Sequence, residues 1–463
     1  MNIFSKINQF LFPGSKEYPK VGAGKMVVLG FQHAFAMSCA TIFVPLLTGL
    51  DVGVALFAAG LGTILFHLCT GGRMPTFLGS SFAFITALQL VIDGNKDNIP
   101  KAMGGIIVAG LFYVLLSLLI KLFGSKFMDK LFPPVVRGVG IAIIGLNLSG
   151  AAINNIQQQR DAGGQIIEMF SAGYNMPLYI WSWVIAGLVC LLAVILSSYG
   201  KGMLKMASVV ISLVFGYIFT LVVVKAGWAP EALMNLGAIA NHNWVEVPNF
   251  VLPVFDLKSI IVIAPIAIVT CVEHVGDVYA NGAVVGKDFT KNPGLHRTML
   301  GDGLATMVAG CIGGPANTTY SENTEVLAAT GNYNPASLRL AALFAILVSF
   351  LGKAIGVVET VPNAVLGGAC IVLYGMIASV GLRTLVENHV DFTKNRNLCI
   401  AAVMLVLAIG GAAIGGADFR LSGIGLGIVV GILLNLILPA PKDETTGLVA
   451  HCVDEDEVIS EKE

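Results

Sequence analysis

Residues 313–325 read GGPANTTYSENTE: two glycines and a proline, followed by hydroxyls, amides and carboxylates. In a soluble protein this would be a loop closing into a helix start. Here the flanking runs are apolar enough for a lipid bilayer, which puts the polar stretch at membrane depth. Irregular backbone is tolerated there only where protein or a water-filled cavity satisfies its polar groups. A helix starting at that depth aims free N–H groups and a positive dipole end into the cavity.

Composition agrees with a membrane setting. The chain has 463 residues, 56% hydrophobic and 12% charged, with a mean hydropathy of +0.82, whereas soluble domains carry about 25% charged residues. Apolar runs recur at 26–48, 52–69, 75–93, 102–122, 131–153, 179–199, 203–224, 254–280, 299–314, 316–332, 338–358, 363–382, 398–416 and 422–439. These are fourteen candidate spans, most of them near the ~20 residues that a bilayer core of ~30 Å requires. Alternate connections are rich in Lys and Arg (Lys16, Lys20, Lys121, Lys126, Lys201, Lys287, Arg297, Arg396), while the others hold chiefly Lys96, Lys101, Arg160 and Arg420. The positive-inside rule then places both termini in the cytoplasm. The first 25 residues are polar and basic without an apolar core before a cleavage site, so the first run is expected to be a true span. The acidic tail 440–463 is expected to be disordered.

A net charge of -1 gives no global field to attract nucleic acid. The eight cysteines are scattered singly, which suits packing rather than disulfides or a zinc site. There is no metalloprotease, P-loop or dinucleotide fingerprint, no nucleophile-and-base constellation and no connection long enough for a nucleotide-binding domain. No enzyme activity and no cofactor are therefore expected, and any active transport must draw on an ion gradient.

The run at 75–93 resembles the opening stretch. Both follow a glycine pair, Gly71-Gly72 and Gly313-Gly314, and both start with a proline. Pro75 and Pro315, Ser81 and Ser321, and Phe82 and Glu322 are each 240 residues apart, and Gln32-His33 pairs with Glu273-His274 at 241. "FPPVVRGVG" at 132–140 also resembles "TVPNAVLGG" at 360–368. A repeat of this length divides the chain into two halves of seven spans. Seven is odd, so the second half runs inverted, and paired Gly/Pro-interrupted segments in inverted repeats point to a transporter site near the midplane.

Ionisable groups inside spans are costly and are candidates for function. Glu273 and Asp277, in "CVEHVGDVYANG", stack one helical turn apart. Glu322 opens the interrupted segment, with Glu325 one turn on. Each carboxyl can alternatively be a neutral, hydrogen-bonded structural group. His33 and His274 lie mid-span, where a histidine serves equally well as a helix-to-helix hydrogen-bonding residue. Phe82, Tyr320 and Tyr374 can pack or line the site.

Taken together, "FQHAFAMSCATIFVP", "PTFLGSSFAFI", "EHVGD", "KNPGLHRTMLGDGLAT", "PANTTYSENTEVLAATG" and "LYGMIASVGLRTLVE" resemble the nucleobase/ascorbate transporter family, chiefly its bacterial uracil permease branch, over about residues 25–440. The resemblance implies an all-α polytopic fold of fourteen spans in two inverted seven-span repeats, with spans 3 and 10 interrupted and each carrying a short strand. It implies a cytoplasmic segment 1–25, a core domain of 26–122 and 254–358, a gate domain of 131–228 and 363–439, and a cytoplasmic tail. The expected activity is proton-coupled uracil import across the cytoplasmic membrane by a protein that is often dimeric.

Carried over by position, Glu273 and Glu322 match the carboxylates that hydrogen-bond the uracil ring N–H groups. The backbone amides of Phe82 and Ser321 match those that meet its carbonyls, and Tyr320, Tyr374 and Ala40 match the pocket lining. Proton coupling is assigned to Glu273, with Asp277 and His274 beside it. Asp277 stands where the best-known uracil permease has a histidine and purine-transporting relatives have aspartate. Glu325 replaces a usual glycine, and Gly331 a frequent basic residue. A proton-coupled xanthine or urate permease and an uncoupled channel or facilitator remain as alternatives.

Overall fold

The computed structural model describes residues 12–19, 21–124, 130–160, 166–167, 173–234, 236–415 and 420–439. The expectations for Lys126, for most of the first cytoplasmic segment and for the tail 440–463 lie outside the described residues.

The chain is mostly helical. Its first half holds α1 (Ala23–Thr48), α2 (Val52–Cys69), β1 (Leu78–Ser80), α3 (Phe82–Ile92), α4 (Ile99–Phe123), α5 (Pro134–Gln157), α6 (Met176–Tyr199) and α7 (Ser208–Lys225). The second half holds α8 (Ile266–Val285), α9 (Leu295–Ile312), β2 (Asn317–Thr319), α10 (Ser321–Thr330), α11 (Ala336–Val348), α12 (Gly352–Glu359), α13 (Asn363–Glu387), α14 (Asn395–Ile409) and α15 (Gly423–Ile437). Local signals set many of these ends. The Asp51 carboxylate caps α2 by accepting from Val54 N at 2.9 Å, and Pro134 opens α5, where its missing N–H costs nothing.

Among the described residues, eight helices are long and apolar enough to cross a membrane, or nine if a bent pair counts as one span. Their outward faces are greasy: α4 exposes Leu115, Leu118 and Leu122, and α6 exposes Ile180, Leu191 and Val194. Such continuous apolar surface suits lipid and not water.

Besides the two strand-and-helix runs 75–93 and 316–332, three of the fourteen runs are broken. The run 338–358 bends by 85° between α11 and α12. Gly352 sits at that bend against another segment, since a Cβ there would lie 2.5 Å from both Asn243 O and the Glu246 carboxyl carbon. The run 254–280 divides into Leu257–Ile263 and α8, with Pro265 opening α8, and 203–224 divides into Met203–Met206 and α7. Of two further short strand pairs, Gln159–Arg160 with Ile166–Ile167 lies in a connection, whereas Ala413–Gly415 with Arg420–Ser422 takes up the end of the expected span 398–416, whose helix stops at Ile409.

Helix packing recurs in mates between the halves. The pairing of α4 with α9 is matched by α11 with α2; α6 with α7 by α14 with α15; and α6 with α13 by α14 with α5. One set comprises α1, α2, α4, α9 and α11; another is built on α5, α6, α7, α13, α14 and α15. Small residues permit the close approaches. A Cβ on Gly381 of α13 would lie 2.3 Å from Ala142 N of α5, and one on Gly145 of α5 would lie 2.4 Å from Tyr374 O.

Candidate functional site

The two interrupted segments meet. β1 and β2 pair antiparallel with register Leu78↔Thr319, Gly79↔Thr318 and Ser80↔Asn317, and all six residues are buried. The ladder continues through Ser81 N to Ala316 O (2.8 Å) and Tyr320 N to Phe77 O (3.0 Å). Under the 240-residue offset the Leu78↔Thr319 pair becomes Thr318↔Gly79, which is also in the ladder, so this part of the repeat is two-fold about the strand crossing.

Each strand feeds directly into a short helix. Ser81 precedes α3 and Tyr320 precedes α10, both with extended backbone, and neither makes a side-chain cap hydrogen bond. Neither helix start is therefore closed by an N-cap side chain, although the Glu322 amide meets its own carboxyl, and such starts favour an acceptor. Buried polar side chains hold the strands at this depth. Leu78 N donates to Thr63 Oγ1 (2.9 Å), Asn317 Nδ2 donates to Ala58 O (3.2 Å) and Thr306 Oγ1 donates to Asn317 O (3.0 Å). His67, to which sequence assigns no role, bonds Thr76 O through Nε2 at 2.9 Å.

The predicted residues fall into linked groups. Tyr320 is buried, and its hydroxyl donates to Ser80 O at 2.9 Å while Thr41 Oγ1 donates to it at 3.3 Å; Ala40, also buried, is the neighbour of Thr41. Gly79 makes room for this ring, because a Cβ there would lie 2.5 Å from two of its carbons. Phe82 of α3 meets Tyr374 of α13 edge to face, with centroids 5.9 Å apart and planes at 81°. Glu273, Asp277, Ser321 and Glu322 are half-buried, and Glu273 and Asp277 lie close enough to Glu322 to interact electrostatically. Glu325 is exposed, one turn beyond Glu322 and close enough to it to interact electrostatically.

The two mid-span histidines both bond to other helices. Asn323 Nδ2 of α10 lies 3.0 Å from His33 O, to which it donates, and 3.2 Å from His33 Nδ1. His274 Nδ1 lies 2.8 Å from Asp302 Oδ2 of α9, both side chains being fully buried.

Sequence reasoning missed three participants. Asp302 is an ionisable residue inside a span, a sufficient signal in itself, although nothing in its spacing reveals its partner. Asn281 continues the Glu273, Asp277 face by one more turn, and its Nδ2 donates to Pro75 O (2.7 Å) and to Thr324 Oγ1 (3.2 Å), tying α8 to both interrupted segments. Thr319 Oγ1 donates to Asp277 Oδ2 at 2.6 Å. Carboxyl groups, helix starts without an N-cap side chain and aromatic rings thus gather around the strand crossing, the mixture of acceptors, donors and flat apolar faces that recognition of a flat polar molecule requires.

Comparison with known proteins identifies the family. A family model described as a permease family (Xan_ur_permease) matches residues 24–415. A probable uracil permease of Pasteurella multocida (strain Pm70) is 40% identical over 420 residues, covering 90% of this chain and 95% of the relative. The uracil permease of Bacillus caldolyticus is 40% identical over 423 residues, covering 90% and 92%, and that of Escherichia coli (strain K12) is 34% identical over 412 residues, covering 89% and 90%. Among solved structures, SLC26A9 superposes with a TM-score of 0.65 at 15% identity over 94% of this chain and 68% of that one. The transmembrane domain of the cyanobacterial bicarbonate transporter BicA superposes with 0.59 at 16% identity over 90% and 99%. These two likenesses concern the fold alone. The chain belongs to this permease family, the nucleobase/ascorbate transporters that its motifs resemble, and is a multi-pass membrane transporter rather than an enzyme.

Proposed function

We propose that the protein imports uracil together with protons across the cytoplasmic membrane. The observation that carries this is the meeting of carboxyls from α8 and α10 with two uncapped helix starts at a buried strand crossing. Uracil has two ring N–H donors and two carbonyl acceptors, and a site built to match them rejects analogues that leave buried polar groups unpaired. The names of the curated relatives support the same substrate.

In this reading Glu273 and Glu322 accept the ring N–H groups, and the amides of Phe82 and Ser321 donate to the carbonyls. Tyr320, Tyr374 and Ala40 shape the pocket. Protons load on Glu273 with Asp277 and His274 beside it. The fourteen runs form two inverted repeats of seven spans, with both termini cytoplasmic and the interrupted segments as spans 3 and 10. The helices of 26–122 and 254–358 form a core that moves against a gate of 131–228 and 363–439, in a molecule that works as a homodimer within the bilayer.

Labelled uracil uptake in permease-deficient cells at pH 6 and pH 8, with unlabelled xanthine, urate and adenine as competitors, tests the proposal. Faster uptake at the lower pH, blocked by uracil alone, is the expected result. Uptake of xanthine in place of uracil would overturn the substrate assignment.

A further inference from the structure

We propose that Thr319 is the positioning residue for Asp277, and that its hydroxyl sets how the carboxyl's protonation is passed to the strand carrying the substrate-facing residues. This deepens the transport reading above and rests on it.

Thr319 is the last residue of β2 and stands directly before Tyr320, Ser321 and Glu322. It is buried, its backbone is fixed in the ladder opposite Leu78, and its branched β-carbon restricts the side-chain rotamer. From there its hydroxyl donates to Asp277 Oδ2 on α8 at 2.6 Å, a bond that is charge-assisted whenever the carboxyl is ionised.

The other charged groups around Asp277 are acidic: Glu273 on the same helix, Glu322 from α10 and Asp302 from α9. From α5, Arg137 lies over the ring of Tyr279, 5.1 Å from its centroid, two residues along α8 from Asp277. Thr319 is thus the hydrogen-bond donor that the described residues give to Asp277. When the carboxyl takes up a proton, its own O–H can donate to Thr319 Oγ1, so the bond reverses direction and loses its charge assistance. Only an O–H bond forms, with the proton drawn from the aqueous path. The change is delivered to the residue that begins the turn into α10.

The test uses the purified full chain in liposomes, with labelled uracil uptake, KM and maximal rate measured from pH 5 to pH 9. Four proteins besides the wild type are compared: Thr319→Val, Thr319→Ser, Asp277→Asn and Thr319→Val combined with Asp277→Asn. Thr319→Val should move the pH of half-maximal uptake toward alkaline values by about one to two units, the range for loss of one charge-assisted hydrogen bond, because the ionised carboxylate is the form that loses its donor. Thr319→Ser should restore the wild-type profile, and Thr319→Val should produce no further shift in the pH of half-maximal uptake once Asp277 is asparagine, which has no carboxyl to titrate.

A Thr319→Val profile that overlays the wild type, or an equal pH shift in the Asp277→Asn background, overturns the proposal. If Thr319→Val does not assemble, Thr319→Ala against Thr319→Ser carries the same comparison. A wild-type rate that does not change with pH would refute proton coupling itself. A cycle of Thr319→Val with Asp277→Ala, which removes the acceptor, on uracil KM at one pH still reads the pair, and additive effects there overturn it.

Discussion

The pair between His274 and Asp302 makes a quantitative stability test. The two side chains are fully buried and join α8 to α9 at 2.8 Å. Replacing Asp302 by alanine removes the acceptor, leaves the imidazole N–H without a partner and opens a small void. Breaking a buried pair from one side costs about 3–5 kcal/mol. Asp302→Asn keeps a carbonyl of the same shape to accept the N–H, so it exchanges a charge-assisted bond for a neutral one and should cost about 1–2 kcal/mol. The assay is thermal unfolding of the detergent-purified protein followed by size-exclusion chromatography. The predicted order of melting temperature is wild type, then Asp302→Asn, then Asp302→Ala, with the last several degrees below the first. An Asp302→Ala protein as stable as the wild type would show that the pair does not hold α8 against α9, and the reasoning would fail.

Other predictions concern packing and the polar cluster beside α12. Gly79→Ala puts a methyl 2.5 Å from the Tyr320 ring, an overpacking of about 1–3 kcal/mol at the strand crossing, and should lower uracil uptake at least tenfold while the protein still reaches the membrane. Gly381→Val forces a side chain against the α5 backbone, 2.3 Å from Ala142 N, and should give a protein that elutes as aggregate on size exclusion. His242 bonds Glu246 through Nδ1 and Glu359 through Nε2. The Glu246 hydrogen bond, with Glu359 in support, holds His242 above the usual histidine range against the opposing effect of burial. A raised folded value means that this contribution is complete below the unfolded pKa of about 6.5 and is lost as pH rises through the folded value. Hydrogen exchange over residues 237–246 should therefore be slower at pH 5.5 than expected from intrinsic rates, and Glu246→Gln should remove that protection at pH 5.5 but change little at pH 9.

Much of the architecture was legible because a few residues have few permitted contexts. Pro75 and Pro315 behind glycine pairs mark extended backbone, and the 240-residue offset anticipated that their segments correspond. The ladder from Leu78 to Thr319 realises this correspondence. Glu273 and Asp277 could be found by their cost within a span. The bend after Val348 could not be seen, since the contacts made there, Glu246 N to Phe350 O and Asn243 against Gly352, come from a distant connection. Similarly, periodicity places Asn281 below Asp277 but says nothing of Pro75, which it reaches across 206 residues. Partners that depend on tertiary register, such as Thr319 for Asp277 and Asp302 for His274, become visible only once the strands and helices have met.

The most direct test of the account is uptake driven by an imposed proton gradient in liposomes containing only the purified protein. With an acidic exterior and a neutral interior, labelled uracil should accumulate inside above its external concentration, and a protonophore should release the excess. Uracil that enters but only equilibrates, with or without the gradient, would contradict proton coupling and mark the protein as a facilitator.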